Sequence, residues 1–140
     1  RALAEDAGFK DARQRVKRLR DLQTTYRAQV RNRRTVLVAT FDERRVAAWK
    51  QKLFLDGYDA VVAQGKARRE TVWLLEDSLL LDAESFLDFL GRVKPVFHPK
   101  RGVAFFRTKA DADRYDRYVG QLSAGATEVW GAQRQVVVAY

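Results

Sequence analysis

The chain has 140 residues and no cysteine, no methionine, one histidine and two prolines. Without cysteine there is no disulfide scaffold, zinc knuckle, iron–sulfur site or thiol nucleophile. His98 alone cannot complete a conventional zinc set. The serines Ser78, Ser85 and Ser123 stand outside any G-x-S-x-G elbow, and no G-x-x-x-x-G-K-[ST] or G-x-G-x-x-G loop occurs. No apolar run approaches the roughly 20 residues that span a bilayer. Asp111, Asp113 and Asp116 lie at the start of an expected helix, where acids offset the helix dipole, so they do not point to a metal. These absences argue for a protein without catalysis, metal, cofactor or small-molecule substrate.

What the sequence does have is positive charge, unevenly placed. Lys and Arg number 27 against 18 Asp and Glu, a net +9, and 46% of residues are hydrophobic, the composition of a folded domain. Residues 1–34 hold eleven basic and four acidic residues, net +7, and residues 35–140 are close to neutral at +2. The division suggests a basic arm (1–34) and a single globular body (35–140). The chain begins Arg1-Ala2-Leu3-Ala4. A cleaved organellar transit peptide fits such a start, as does a segment lost for another reason, and the first would place the protein in a mitochondrial or other organellar matrix.

The arm reads as one amphipathic helix. Phe9, Ala12, Val16, Leu19, Leu22, Tyr26 and Val30 recur at steps of three and four. Its polar side carries Arg13, Lys17, Arg20 and Arg27, and guanidinium groups suit phosphate. The stripe itself, through Phe9, Val16, Leu19, Tyr26 and Val30, suits a docking interface. With one large aromatic near each end of the stripe, a membrane surface is the least supported partner.

The body predicts alternating strands and helices. Thr35–Phe41, Tyr58–Gln64, Thr71–Leu75, Val103–Arg107 and Gln135–Tyr140 are rich in β-branched and aromatic residues and read as strands. Helices are expected after Asp42 and Asp82 as caps, with Gly57 and Gly91 as stops, and over Ala110–Leu122 before a break at Ser123–Ala126. Lys94–Gly102 holds both prolines and reads as an extended loop or edge segment. The expected fold is α+β: a long basic N-terminal helix, then a ferredoxin-like (split βαβ) antiparallel sheet, with an added C-terminal helix and strand.

Arg101-Gly102-Val103-Ala104-Phe105-Phe106-Arg107-Thr108 resembles the RNP1 octet of the RNA-recognition motif, with Arg101, Gly102, Ala104 and Phe105 in matching places. Val103 and Thr108 depart from it, standing where that family places aromatics, and Phe106 stands where it has an aliphatic residue. The resemblance covers eight residues and implies bases stacked on Phe105, with Lys100, Arg101 and Arg107 against phosphate.

Two functional expectations follow. The leading one is a structural subunit of a nucleoprotein assembly, such as an organellar ribosome, contacting RNA through the basic helix. The alternative is an accessory docking subunit of a large multi-protein complex, with no nucleic-acid contact.

Overall fold

A computed structural model describes residues 9–98 and 103–137. Its elements are α1 (Lys10–Glu43), α2 (Ala48–Val93), β1 (Val96–His98), β2 (Val103–Phe105) and α3 (Lys109–Val137). The ferredoxin-like expectation is therefore corrected: three helices carry the fold, and the only sheet among the described residues is the antiparallel hairpin β1–β2. At about 1.5 Å per residue, the 46 residues of α2 span roughly 70 Å.

Residues read as strands 35–41, 58–64 and 71–75 are all helical, and the cause is a longer-range pattern than local propensity. Inward positions of α1 alternate at steps of four and three: Phe9, Arg13, Val16, Arg20, Gln23, Arg27, Val30, Arg34, Leu37 and Phe41. Those of α2 do the same without a break from Gln51 to Leu90, through Leu55, Tyr58, Val62, Gly65, Arg69, Val72, Glu76, Leu79, Ala83 and Phe86. That is the 3.5-residue repeat of a coiled coil. β-Branched residues lose only tenths of a kcal/mol each in a helix, less than the burial the continuous seam provides.

The expected stops fail for the same reason. Gly57 lies inside α2, where a methyl group would meet no atom within 4 Å, and Gly91 lies two residues before that helix ends. Asp42 belongs to the last turn of α1 and Asp82 to the interior of α2. Ser123–Ala126 lies within α3, as do Gln135–Val137, and residues 138–140 fall outside the described set. Helix α1 also continues through residue 34 to Glu43.

The turn after α1 reverses the chain in four residues, with Arg45 left-handed at φ 51° and Val46 N–H donating to the Phe41 carbonyl at 3.0 Å. Phe41 and Phe54 close this end edge-to-face, 5.3 Å between centroids. Helix α3 returns antiparallel along α2: Tyr115 meets Phe86, Gly125 meets Leu79 and Gln133 meets Glu76. Its start is capped by Thr108, whose Oγ1 accepts from Asp111 N–H at 3.1 Å, and Asp111 is the acid of the first turn as expected.

The main core cluster sits at one end of the rod, and Val72, Leu80 and Val129 are buried farther along. Phe9, Phe86, Leu87, Phe89 and Leu90 are buried, and Val16, Phe97, Phe106, Tyr115, Tyr118 and Leu122 surround them. The hairpin seals this end: Phe97 stands edge-on to Phe9, and Phe106 stacks on Phe89. The segment 94–102, expected to be extended, supplies β1, with Val96 opposite Phe105 and His98 opposite Val103.

Candidate functional site

Four arginines of the arm turn toward α2. Arg13, Arg20, Arg27 and Arg34 are spaced by sevens, so they fall on one line of α1 facing α2. Each meets an acid there: Arg13 with Asp88 at 2.7 Å, Arg20 with Glu84, Arg27 with Asp77 at 2.9 Å and Arg34 with Asp59 at 3.0 Å. Arg20 is bidentate, donating from Nε and Nη2 to the two Glu84 oxygens at 2.6 and 2.8 Å. Its hydrogen bonds to Glu84 hold the guanidinium above its ordinary pKa.

Arg27 is the most enclosed of the four. It also donates to the Trp73 carbonyl at 2.9 Å and lies over the Trp73 ring at 5.3 Å. Beside it, Glu76 joins all three helices, accepting from Gln23 of α1 at 3.1 Å and from Gln133 of α3 at 2.9 Å. The seam is thus closed in part by polar bonds where a usual coiled coil places aliphatics.

Of the residues expected to contact RNA, Arg13, Arg20 and Arg27 therefore already hold carboxylates of α2. Lys17 is exposed and forms no ion pair among the described residues. Lys100 and Arg101 lie outside the described residues. Phe105 and Arg107 are exposed on the hairpin, and Phe106 is in the core cluster. With two strands where an RNA-recognition motif has four, the hairpin offers no base-stacking sheet.

The expected docking stripe splits. Phe9 is buried, Val16 borders the core and Val30 is half-buried in the seam. Leu19 and Tyr26, with Leu22, sit one position round the helix and stay half exposed or more, at 51%, 50% and 57%. Farther along the same side is Val36, 59% exposed, and across the groove from it on α2 lies Phe54; Leu53 and Trp49 are also exposed, on the outer side of α2 away from the seam positions Gln51, Leu55 and Tyr58. An open groove of about 980 Å³ runs between the helices here, lined by Ala28, Val36, Leu37, Phe54 and Tyr58, with Arg33 its one charged residue.

Sequence reasoning missed a second cleft, of about 480 Å³, deeper in the α1–α2 seam between Val30 and Trp73. Its walls carry Arg31, Arg33, Arg34, Lys66 and Arg69 against two acids, Asp59 and Glu70. The readable trace of it was Gly65 and Arg69 at consecutive seam positions, where a coiled coil needs apolar bulk. No cluster of three or more metal-ligating side chains occurs among the described residues, and no described helix is long and apolar enough to cross a membrane. No family model, curated protein or solved structure matches this chain.

Proposed function

We propose that the chain is a non-enzymatic docking subunit of a larger protein assembly, a helical strut held at one end by its aromatic core and bound to a partner along its open half. One observation carries this reading: Leu19, Leu22, Tyr26 and Val36 of α1 and Phe54 of α2 stay exposed, with Trp49 and Leu53 exposed on the outer side of α2, while Arg13, Arg20, Arg27 and Arg34 of the same arm are engaged within the chain. Exposed apolar surface of that extent favours a protein partner over bulk water.

The occupant is an amphipathic helix of another protein, with acidic residues beside its apolar stripe. The groove has walls on both helices, residues between Thr24 and Leu37 of α1 and Phe54 and Tyr58 of α2, so a third helix can lie in it. It contains Arg33 and no acid, so acidic flanks are complementary. A second copy of this chain carries the same +9 and is repelled.

A photo-crosslinking side chain placed at Val36 or Phe54, in cells that make the protein, tests this. The reading expects a discrete protein adduct that survives ribonuclease and is lost when Leu22 is replaced by Asp. An adduct removed by ribonuclease, or a dimer of the chain itself, would overturn it.

A further inference from the structure

We propose that the cleft between Val30 and Trp73 binds a polyphosphate anion; it adjoins the groove, with which it shares Arg33 and Tyr58. Five cationic side chains line it against two carboxylates, an excess of three positive charges in one concave space. The acids are already committed: Asp59 accepts from Arg34 Nε with both oxygens at 3.0 Å, and Glu70 faces Lys66 at 3.8 Å. Arg31 and Arg33 form no ion pair among the described residues, and Arg31 instead lies over the Trp73 ring at 6.0 Å.

Arg69 is the telling residue. It stands at a seam position, half-buried, and its one hydrogen bond among the described residues is a long 3.4 Å contact to the Val62 carbonyl. A guanidinium has five N–H donors; those of Arg69 left without a partner are not sealed from solvent, so they are open to a ligand in the cleft that Arg69 lines. An aliphatic residue there would extend the coiled-coil seam without adding to the repulsion among the cations. A bound anion supplies acceptors in place of water and offsets that repulsion. A phosphate chain fits better than a carboxylate, because guanidinium groups on two facing helices can each grip a different phosphate bidentately. The cleft volume of about 480 Å³ accommodates two or three linked phosphates without moving the helices.

Calorimetric titration of the full chain with inorganic triphosphate at low salt tests the site. The expected result is one anion per chain, with affinity lowered about tenfold by Arg69→Gln and by Arg31→Gln, since each removes charge-assisted hydrogen bonds. Arg18→Gln, an exposed cation outside the cleft, should leave it unchanged. Arg31 is exposed, so its variant folds normally and keeps the test valid if Arg69→Gln loses helicity by circular dichroism. Parallel titrations with ATP and with single-stranded RNA distinguish the source of the phosphates. Absence of triphosphate binding, or an equal loss in Arg18→Gln, overturns the proposal by reducing the cleft to diffuse surface charge.

Discussion

Arg20 and Glu84, 64 residues apart, are joined by two side-by-side hydrogen bonds of 2.6 and 2.8 Å across the α1–α2 seam. The pair fixes the register of the two helices. Sliding α1 by one heptad would bring Arg13 or Arg27 to Glu84, but it would also move Phe9 out of the aromatic core and Phe41 away from Phe54. Glu84→Gln should therefore weaken the seam without changing the fold, and combining it with Arg20→Gln should be less harmful than the sum of the two single changes. Thermal unfolding of the four proteins checks this. Because the Arg20 pKa is raised, its contribution is complete below the ordinary arginine range and fades only as pH rises through the higher folded value. Between neutral and moderately alkaline pH the effect of Glu84→Gln should thus be constant.

Arg27 and Glu76 form the interior half of the same network. Their side chains are 19% and 23% exposed, and removing either leaves buried partners without mates. Glu76→Ala strands Gln23, Gln133 and part of Arg27, and should cost about 1–3 kcal/mol. Arg27→Met should cost less than Arg27→Ala, since it keeps the aliphatic stem against Trp73. Urea unfolding gives both values, and an Arg27→Ala protein as stable as the parent would show that the network is decorative.

The glycines make opposite predictions by position. At Gly57, Gly120 and Gly131 a methyl group meets nothing within 4 Å, so each Gly→Ala change should stabilise by roughly 0.5–1 kcal/mol through helix propensity alone. At Gly125 the added Cβ would lie 3.2 Å from Leu79 Cδ1. Gly125→Ala should gain less than the other three, and Gly125→Val should destabilise, because the branched side chain forces α3 away from α2. Melting temperatures of the five proteins rank these effects directly.

The arm and the body share one core. Phe9 is 7% exposed among Phe86, Leu87, Phe89 and Leu90, so Phe9→Ala should cost about 3–5 kcal/mol, as large aromatic truncations do. Removing the arm entirely should leave α2 and α3 with an open aromatic face and no seam partner. Loss of cooperative unfolding in a chain that starts at Thr35 is the expected observation.

The arm's helicity was legible because its apolar and basic residues recur at helical spacing with no glycine or proline between Phe9 and Arg33. Its orientation was not. Apolar residues alone trace Leu19, Leu22 and Tyr26 as the inner line, but the inner line passes through Arg20 and Arg27 because acids 64 and 50 residues away complement them. Such pairing is invisible until α2 is recognised as a single helix. That recognition failed at Tyr58–Gln64 and Thr71–Leu75, where five- to seven-residue windows favour strands and only the 3.5-residue repeat, followed over forty residues, favours a helix. The strand beginning at Val103 was legible because Pro95 and Pro99 bound a short extended segment that can pair with it.

The docking surface predicts a separation of stability from assembly. Trp49 and Leu53 are one turn apart on α2, 65% and 70% exposed, and touch little of the fold. Replacing both by Gln removes apolar surface that already faces water, so unfolding free energy should shift by no more than about 0.5 kcal/mol per site. In an interface the same two residues would be buried, and losing a tryptophan anchor there typically costs about 2 kcal/mol or more of binding, roughly a thirtyfold fall in affinity. Tyr26→Gln, on α1 and farther from the turn, should add to the loss if the partner spans both helices, and should add nothing if it grips only the outer side of α2 near the turn. Measuring melting temperature and partner recovery on the same three variants decides between these cases. A variant pair that melts early and still assembles would place Trp49 and Leu53 in the fold and move the docking face elsewhere.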